Sequence, residues 1–129
     1  MRLLVLLSLL AGACSSAPRT RIDEQLAAAY RGDRVAIRAY FAQALHFCES
    51  SEIYADPSEE LSLKLRAVLS RVGDGPFAAA VSGEPRRMRS AVAHFISPRA
   101  IPDFPRTQTL LAAAPKVDFP LDKAYRSHE

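Results

Sequence analysis

Glycine and proline set the length of every helix this chain can form. Its 129 residues include five glycines and nine prolines. An interior proline removes a helix hydrogen bond and clashes with the preceding turn. Between these breaks the apolar residues recur with helical period. Residues 22 to 48 predict two helices around Gly32-Asp33, the second carrying Ile37, Phe41, Ala44 and Cys48 on one face. Asp33 is its expected N-cap, a carboxylate that accepts from a free N–H of the first turn. Asp56-Pro57-Ser58-Glu59 predicts a third start, with Asp as cap and Pro at the first helical position. Leu61, Leu65, Val68, Leu69 and Val72 form the stripe that follows. Leu63 and Ala67 fall on the other side, so this helix is expected to be covered on two faces. Gly73-Asp74-Gly75-Pro76 ends it and starts the next. "FAAAVS" forms a short helix stopped by Gly83. Pro85 opens another, with Met88, Ala91, Val92, Phe95 and Ile96 inward, closed at Ser97-Pro98.

The expected fold class is therefore all-α: a small bundle or short stack of helical hairpins, four to six short helices in residues 22–97, followed by a Pro-rich tail at 98–129. Pro98, Pro102, Pro105, Pro115 and Pro120 forbid a long helix there, and only "TQTLLAAA" should form a turn or two. Ile101, Phe104, Leu110, Leu111, Val117, Phe119 and Leu121 are apolar enough for the tail to lie against the helices; trailing from them is the alternative.

Two stretches align without gaps: "LAAAYRGDRVAIRAYFAQAL" from Leu26 and "FAAAVSGEPRRMRSAVAHFI" from Phe77. In each, three alanines let helices approach closely, a glycine permits a left-handed turn, and an acidic residue, Asp33 or Glu84, starts the second helix. Each unit reads as a helical hairpin. The first resembles the helical part of an ankyrin repeat at Ala28-Ala29, Gly32-Asp33, Ile37 and Tyr40-Phe41. The Thr-Pro-Leu-His opening is absent, and the spacing of the units exceeds the family's period of about 33 residues. The resemblance implies hairpin packing rather than an ankyrin array, and such stacks usually bind proteins.

The N-terminus carries a second kind of signal. Met1-Arg2 is followed by the apolar run 3–10 and then Ala11-Gly12-Ala13-Cys14. One positive charge, a short apolar run and small residues in that order form a secretory signal peptide over 1–13. The run is well short of the roughly 20 apolar residues a membrane span needs. Ala-Gly-Ala suits general signal peptidase. The same residues with Cys14 resemble the lipobox of bacterial lipoproteins, with Ala11 where that family usually has Leu and Leu10 one place further back. The resemblance implies a diacylglyceryl thioether on Cys14, an acylated amino group and, with Ser15 rather than Asp next, the periplasmic side of the outer membrane. Residues 14–21 are then the lipidated Cys and a short polar tether. Without lipidation the chain would be soluble in the periplasm or secreted, and a Cys14–Cys48 disulfide would be open to it.

Removal of the leader leaves about 115 residues, enough for one domain with a sizeable core. Net charge is only +3 and Trp is absent, so no nucleic-acid partner is expected. His46 and Cys48, two apart on a helix, point to nearly opposite sides, and His94 and His128 are separate from them; no metal or other cofactor is expected. No Ser sits on a Gly-flanked nucleophile turn, and "GDGP" is not a phosphate loop. The candidate contact residues are Arg86, Arg87, Arg89 and Arg99, which could meet acidic partner surfaces or anionic lipid headgroups. The expected function is a lipid-anchored interaction module for an unidentified envelope protein, not an enzyme. The alternatives are an immunity or inhibitor protein against an envelope-targeted enzyme and, third, a hydrolase.

Overall fold

The computed structural model describes residues 24–127. The leader 1–13, Cys14 and the tether fall outside the described residues, as does His128. Among the described residues there are seven α-helices, one 3-10 turn and no strand. Helix α1 covers 24–30; α2 is Arg34–Glu49, α3 Ala55–Val72, α4 Asp74–Ser82 and α5 Arg86–Phe95. The turn η1, Pro98–Ala100, leads to α6, Pro105–Ala112, and α7, Pro120–Ser127. Helix α2 lies in the middle, packed most extensively on α5 and also on α3, α4 and α7, while α4 pairs with α6.

Periodicity explains the core. Ile37, Phe41, Ala44 and Cys48 of α2 are buried together with Leu61, Leu65, Val68 and Leu69 of α3, Phe77 and Val81 of α4, and Ala91, Val92 and Phe95 of α5. Phe41 meets Phe77 edge to face at 5.6 Å. The Pro-rich segment closes this core: Ile101, Thr107, Leu111, Phe119 and Leu121 are buried. Leu63 departs from expectation. It is 59 % exposed, so α3 buries one stripe, with Ala67 half-buried beside it.

The helix starts divide into those set locally and those set at a distance. Asp33 caps α2 as its position requires, accepting from Val35 N–H at 2.9 Å. The start of α3 is earlier than expected. Tyr54 holds the cap position, and its carbonyl accepts from Ser58 N–H at 3.0 Å. Pro57 tolerates the third helical place as well as the first, because none of the first N–H groups has an intrahelical partner. Asp56 therefore acts as a first-turn charge on the helix dipole. The two echoed hairpins also differ. Gly32 has φ +84° and makes the left-handed turn, whereas Gly83 has φ −77° and simply extends α4. Glu84 caps nothing: it is buried, and Oε1 takes Nε of Arg38 at 2.7 Å. The acid of one hairpin thus pairs with the arginine of the other, across the α2–α5 packing.

Helix α7 has no counterpart in the sequence expectations. Pro120 occupies its first position, and Asp122 reaches back to accept from Phe119 N–H at 3.0 Å. This is the back-reaching half of a capping box, with Asp in place of Glu; Phe119 has no side-chain oxygen to supply the other half.

Candidate functional site

The four arginines singled out in the sequence are placed in three different ways. Arg87 is engaged within the fold. It donates to Glu49 at the end of α2, and its guanidinium lies 4.8 Å from the centre of the Phe119 ring. The hydrogen bond from Arg87 holds the Glu49 carboxyl below the usual range, and the same bond raises Arg87. Arg89 is half-buried, with its Nε unpaired among the described residues. Arg86 and Arg99 are exposed, and no ion pair among the described residues engages either.

Those last two border a larger surface, which α6 organises. Asp74, at the start of α4, accepts from Arg106 N–H at 2.8 Å and Thr107 N–H at 2.7 Å, capping α6 from another helix. Thr107 Oγ1 donates to the Asp74 carbonyl, and Gln108 Nε2 donates to the Pro98 carbonyl at 2.8 Å. With Thr107 and Leu111 turned inward, α6 and its C-cap present Arg106, Thr109 and Ala113 outward, with Leu110 half-buried beside them. A shallow cleft of about 570 Å³ lies between η1 and α6, bordered by Pro98, Arg99, Thr109 and Ala113. A second, bordered by Pro105, Arg106 and Leu110, shares Thr109 and Ala113 with it. A third, of about 390 Å³, continues from Pro98 and Ala112 to Lys116, Val117 and the α5 residues Ser90, Ala93 and His94. Arg86 sits one turn before Ser90 on that α5 stripe. The three clefts make one strip across α5, η1 and α6.

The strip is strongly basic. Residues 85–117 hold six cations, Arg86, Arg87, Arg89, Arg99, Arg106 and Lys116, against one carboxylate, Asp103. Elsewhere the balance reverses: residues 39–63 contain Glu49, Glu52, Asp56, Glu59 and Glu60 and no Lys or Arg. This segregation was visible in the sequence by counting charge along windows instead of over the whole chain. Arg106 and Lys116 were missed because each stands alone in its own neighbourhood and joins the strip only through the fold.

The acidic side carries its own groove. About 280 Å³ lies between the start of α3, the end of α5 and α7, lined by Ser58, Glu59, Ser62, His94, Phe95, Leu121 and Tyr125. Tyr54, 42 % exposed, precedes it, Tyr125 closes it at 44 %, and Leu63 stands one turn beyond Glu59. His94 Nδ1 is 3.7 Å from Asp122 Oδ1, beyond hydrogen-bond distance. A nucleophile and its base need about 2.6–3.2 Å. The other Asp122 oxygen is spent on the start of α7, so this pair lacks the geometry of an acid–base device. Among the described residues no group of three His, Cys, Asp or Glu is placed to hold a metal. His46 is exposed and Cys48 buried, on opposite sides of α2. Burial, with Asp122 and Glu49 nearby and Arg87 opposing, pushes the Cys48 thiol up to about 12. A disulfide from Cys48 would need the packing around α2 to open.

Comparisons with protein-family models, curated proteins and solved structures find no match to this chain.

Proposed function

We propose that this chain is an exported, lipid-anchored envelope protein whose helical body serves as an interaction module for another protein. The observation that carries the reading is the order of residues 1–14: Arg2, the apolar run, Ala11-Gly12-Ala13 and then Cys14. No helix among the described residues is long and apolar enough to cross a membrane, so the reading assigns attachment to the Cys14 lipid alone. The side chains assigned to the partner are Tyr125, which lines the groove with Glu59, and Tyr54 and Leu63, which are exposed on the same stretch of α3 and its cap. Tyrosines in a partly apolar groove supply contact area at low entropic cost, as protein interfaces favour. The acidic rim suits a basic partner segment.

In its native host, Cys14→Ser should move the protein from the membrane fraction to the soluble one and abolish palmitate incorporation. Unchanged membrane association of a fatty-acid-free protein would overturn the anchor. Tyr54→Ala with Tyr125→Ala should abolish crosslinking from a photoreactive residue at position 63 to its partner, without loss of helicity. Crosslinking that persists would overturn the groove as the contact.

A further inference from the structure

We propose that the basic strip of α5, η1 and α6 rests on an anionic phospholipid surface, with Arg86, Arg99, Arg106 and Lys116 among the phosphates and Leu110 and Val117 at headgroup depth. The inference rests on the Cys14 anchor. From Cys14 to the first described residue, Glu24, the chain has ten peptide steps. At 3.3–3.6 Å per residue it reaches no further than about 35 Å. A body so tethered is held within its own diameter of the headgroups, where even weak contacts are occupied by proximity.

The chemistry of the strip fits a charged, diffuse surface. Its cations are spread around apolar side chains along three connected shallow clefts. Arg86, Arg99 and Lys116 are exposed, so their long stems can lie flat while their charges reach phosphates. Of the nearby carboxylates, Asp74 is turned onto the α6 N–H groups, Asp118 is exposed but paired with Arg126, and Asp103 faces solvent. A specific acidic protein partner would call for an arginine fork pre-set by neighbouring hydrogen bonds. Among the arginines of the strip only Arg87 is held by a carboxylate, and it is spent on Glu49. Each cation at a membrane surface contributes about fivefold in partitioning, equivalent to about 1 kcal/mol, and salt within a Debye length screens it. The acidic, tyrosine-bearing groove adds α3 and α7 to the end of α5, sharing His94 with the strip, and opens on its other side toward a partner.

The test uses the full chain purified from its native host, reconstituted with vesicles of phosphatidylcholine alone or with one part in three phosphatidylglycerol. Amide exchange at residues 98–117 should slow at least fivefold on the anionic vesicles only, and raised salt should reverse it. Arg99→Glu with Lys116→Glu should remove that protection while circular dichroism stays unchanged. Equal exchange on both vesicles, or protection that survives the double substitution, overturns the strip as a lipid-facing surface and leaves an acidic protein as its occupant. Intact mass reads the anchor separately. A lipidated chain with no lipid-dependent protection keeps the anchor and loses the strip. A fatty-acid-free chain protected by anionic vesicles added from outside keeps the strip and loses the anchor.

Discussion

The Asp74 carboxylate belongs to α4 but caps α6, so a single residue fixes how the basic strip is presented. Its burial pushes the carboxyl up. The N–H groups of Thr107 and Arg106, the Thr107 hydroxyl and the Arg106 charge outweigh that, and the result lies below the usual 3.8. The sign of the pH effect follows. A carboxyl that is more acidic when folded contributes stability that is complete above its unfolded value and lost as pH falls through the folded one. The amide protons of Arg106 and Thr107 should therefore titrate together, with a midpoint below 3.8, and α6 should exchange faster under acid. Asp74→Asn should flatten this profile and destabilise by about 1 kcal/mol, the usual value of a lost cap. A midpoint at or above 3.8 would show that the carboxylate does not hold α6. Glu84 presents the opposite case: a carboxylate 93 % buried has one oxygen on Arg38 and the other unpaired. Neither role could be read from local sequence, since Asp74 and Thr107 are 33 residues apart and an acid after glycine resembles an ordinary cap.

At the scale of the element, the two echoed hairpins provide a test with opposite signs. Gly32 has φ +84° and open space where a Cβ would stand, so only backbone strain opposes a side chain there. Gly32→Ala should cost about 1–2 kcal/mol. Gly83 has helical backbone, and a Cβ would meet Ala79 O and Ala80 O at 3.8 Å, ordinary contact. Gly83→Ala should stabilise by about 0.4–1 kcal/mol, by narrowing the unfolded ensemble. Urea midpoints that move the same way for both variants would contradict the difference in turn geometry. The alignment of "AAAYRGD" with "AAAVSGE" hides this difference because both strings satisfy the same rule of alanines, glycine and acid. What the sequence did make legible were the elements with strong period and local caps. The α2 stripe from Ile37 to Cys48 is buried as expected, and Asp33 accepts the bonds its position demands. Helix α7 was hidden because Pro120 reads as a breaker among five prolines, although the same proline suits a first helical position. The basic strip was half legible, through Arg86 and Arg99.

Across the whole molecule, the final quarter of the chain is part of the core it covers. Phe119 is buried at 1 % exposure between the strip and the acidic groove, lining the cleft on the α5–α6 side, and the Arg87 guanidinium stacks on its ring. Arg87 in turn holds Glu49, so α2, α5 and the entry to α7 share one linkage. If the segment merely trailed from a finished bundle, deleting this ring would change little. If it completes the core, Phe119→Ala removes about 3–5 kcal/mol, a large part of the 5–15 kcal/mol available to a domain of this size. For about 100 residues each kcal/mol shifts Tm by about 4–8 °C, so the midpoint should fall by at least about 12 °C. Arg87→Lys keeps the charge but loses the planar stacking; it should leave the midpoint nearly in place while speeding amide exchange in α7. A Phe119→Ala shift below about 4 °C would separate the tail from the core. It would also leave the strip and the tyrosine groove joined through α5 alone, whose His94 lines both, without the α7 entry that this ring packs against them.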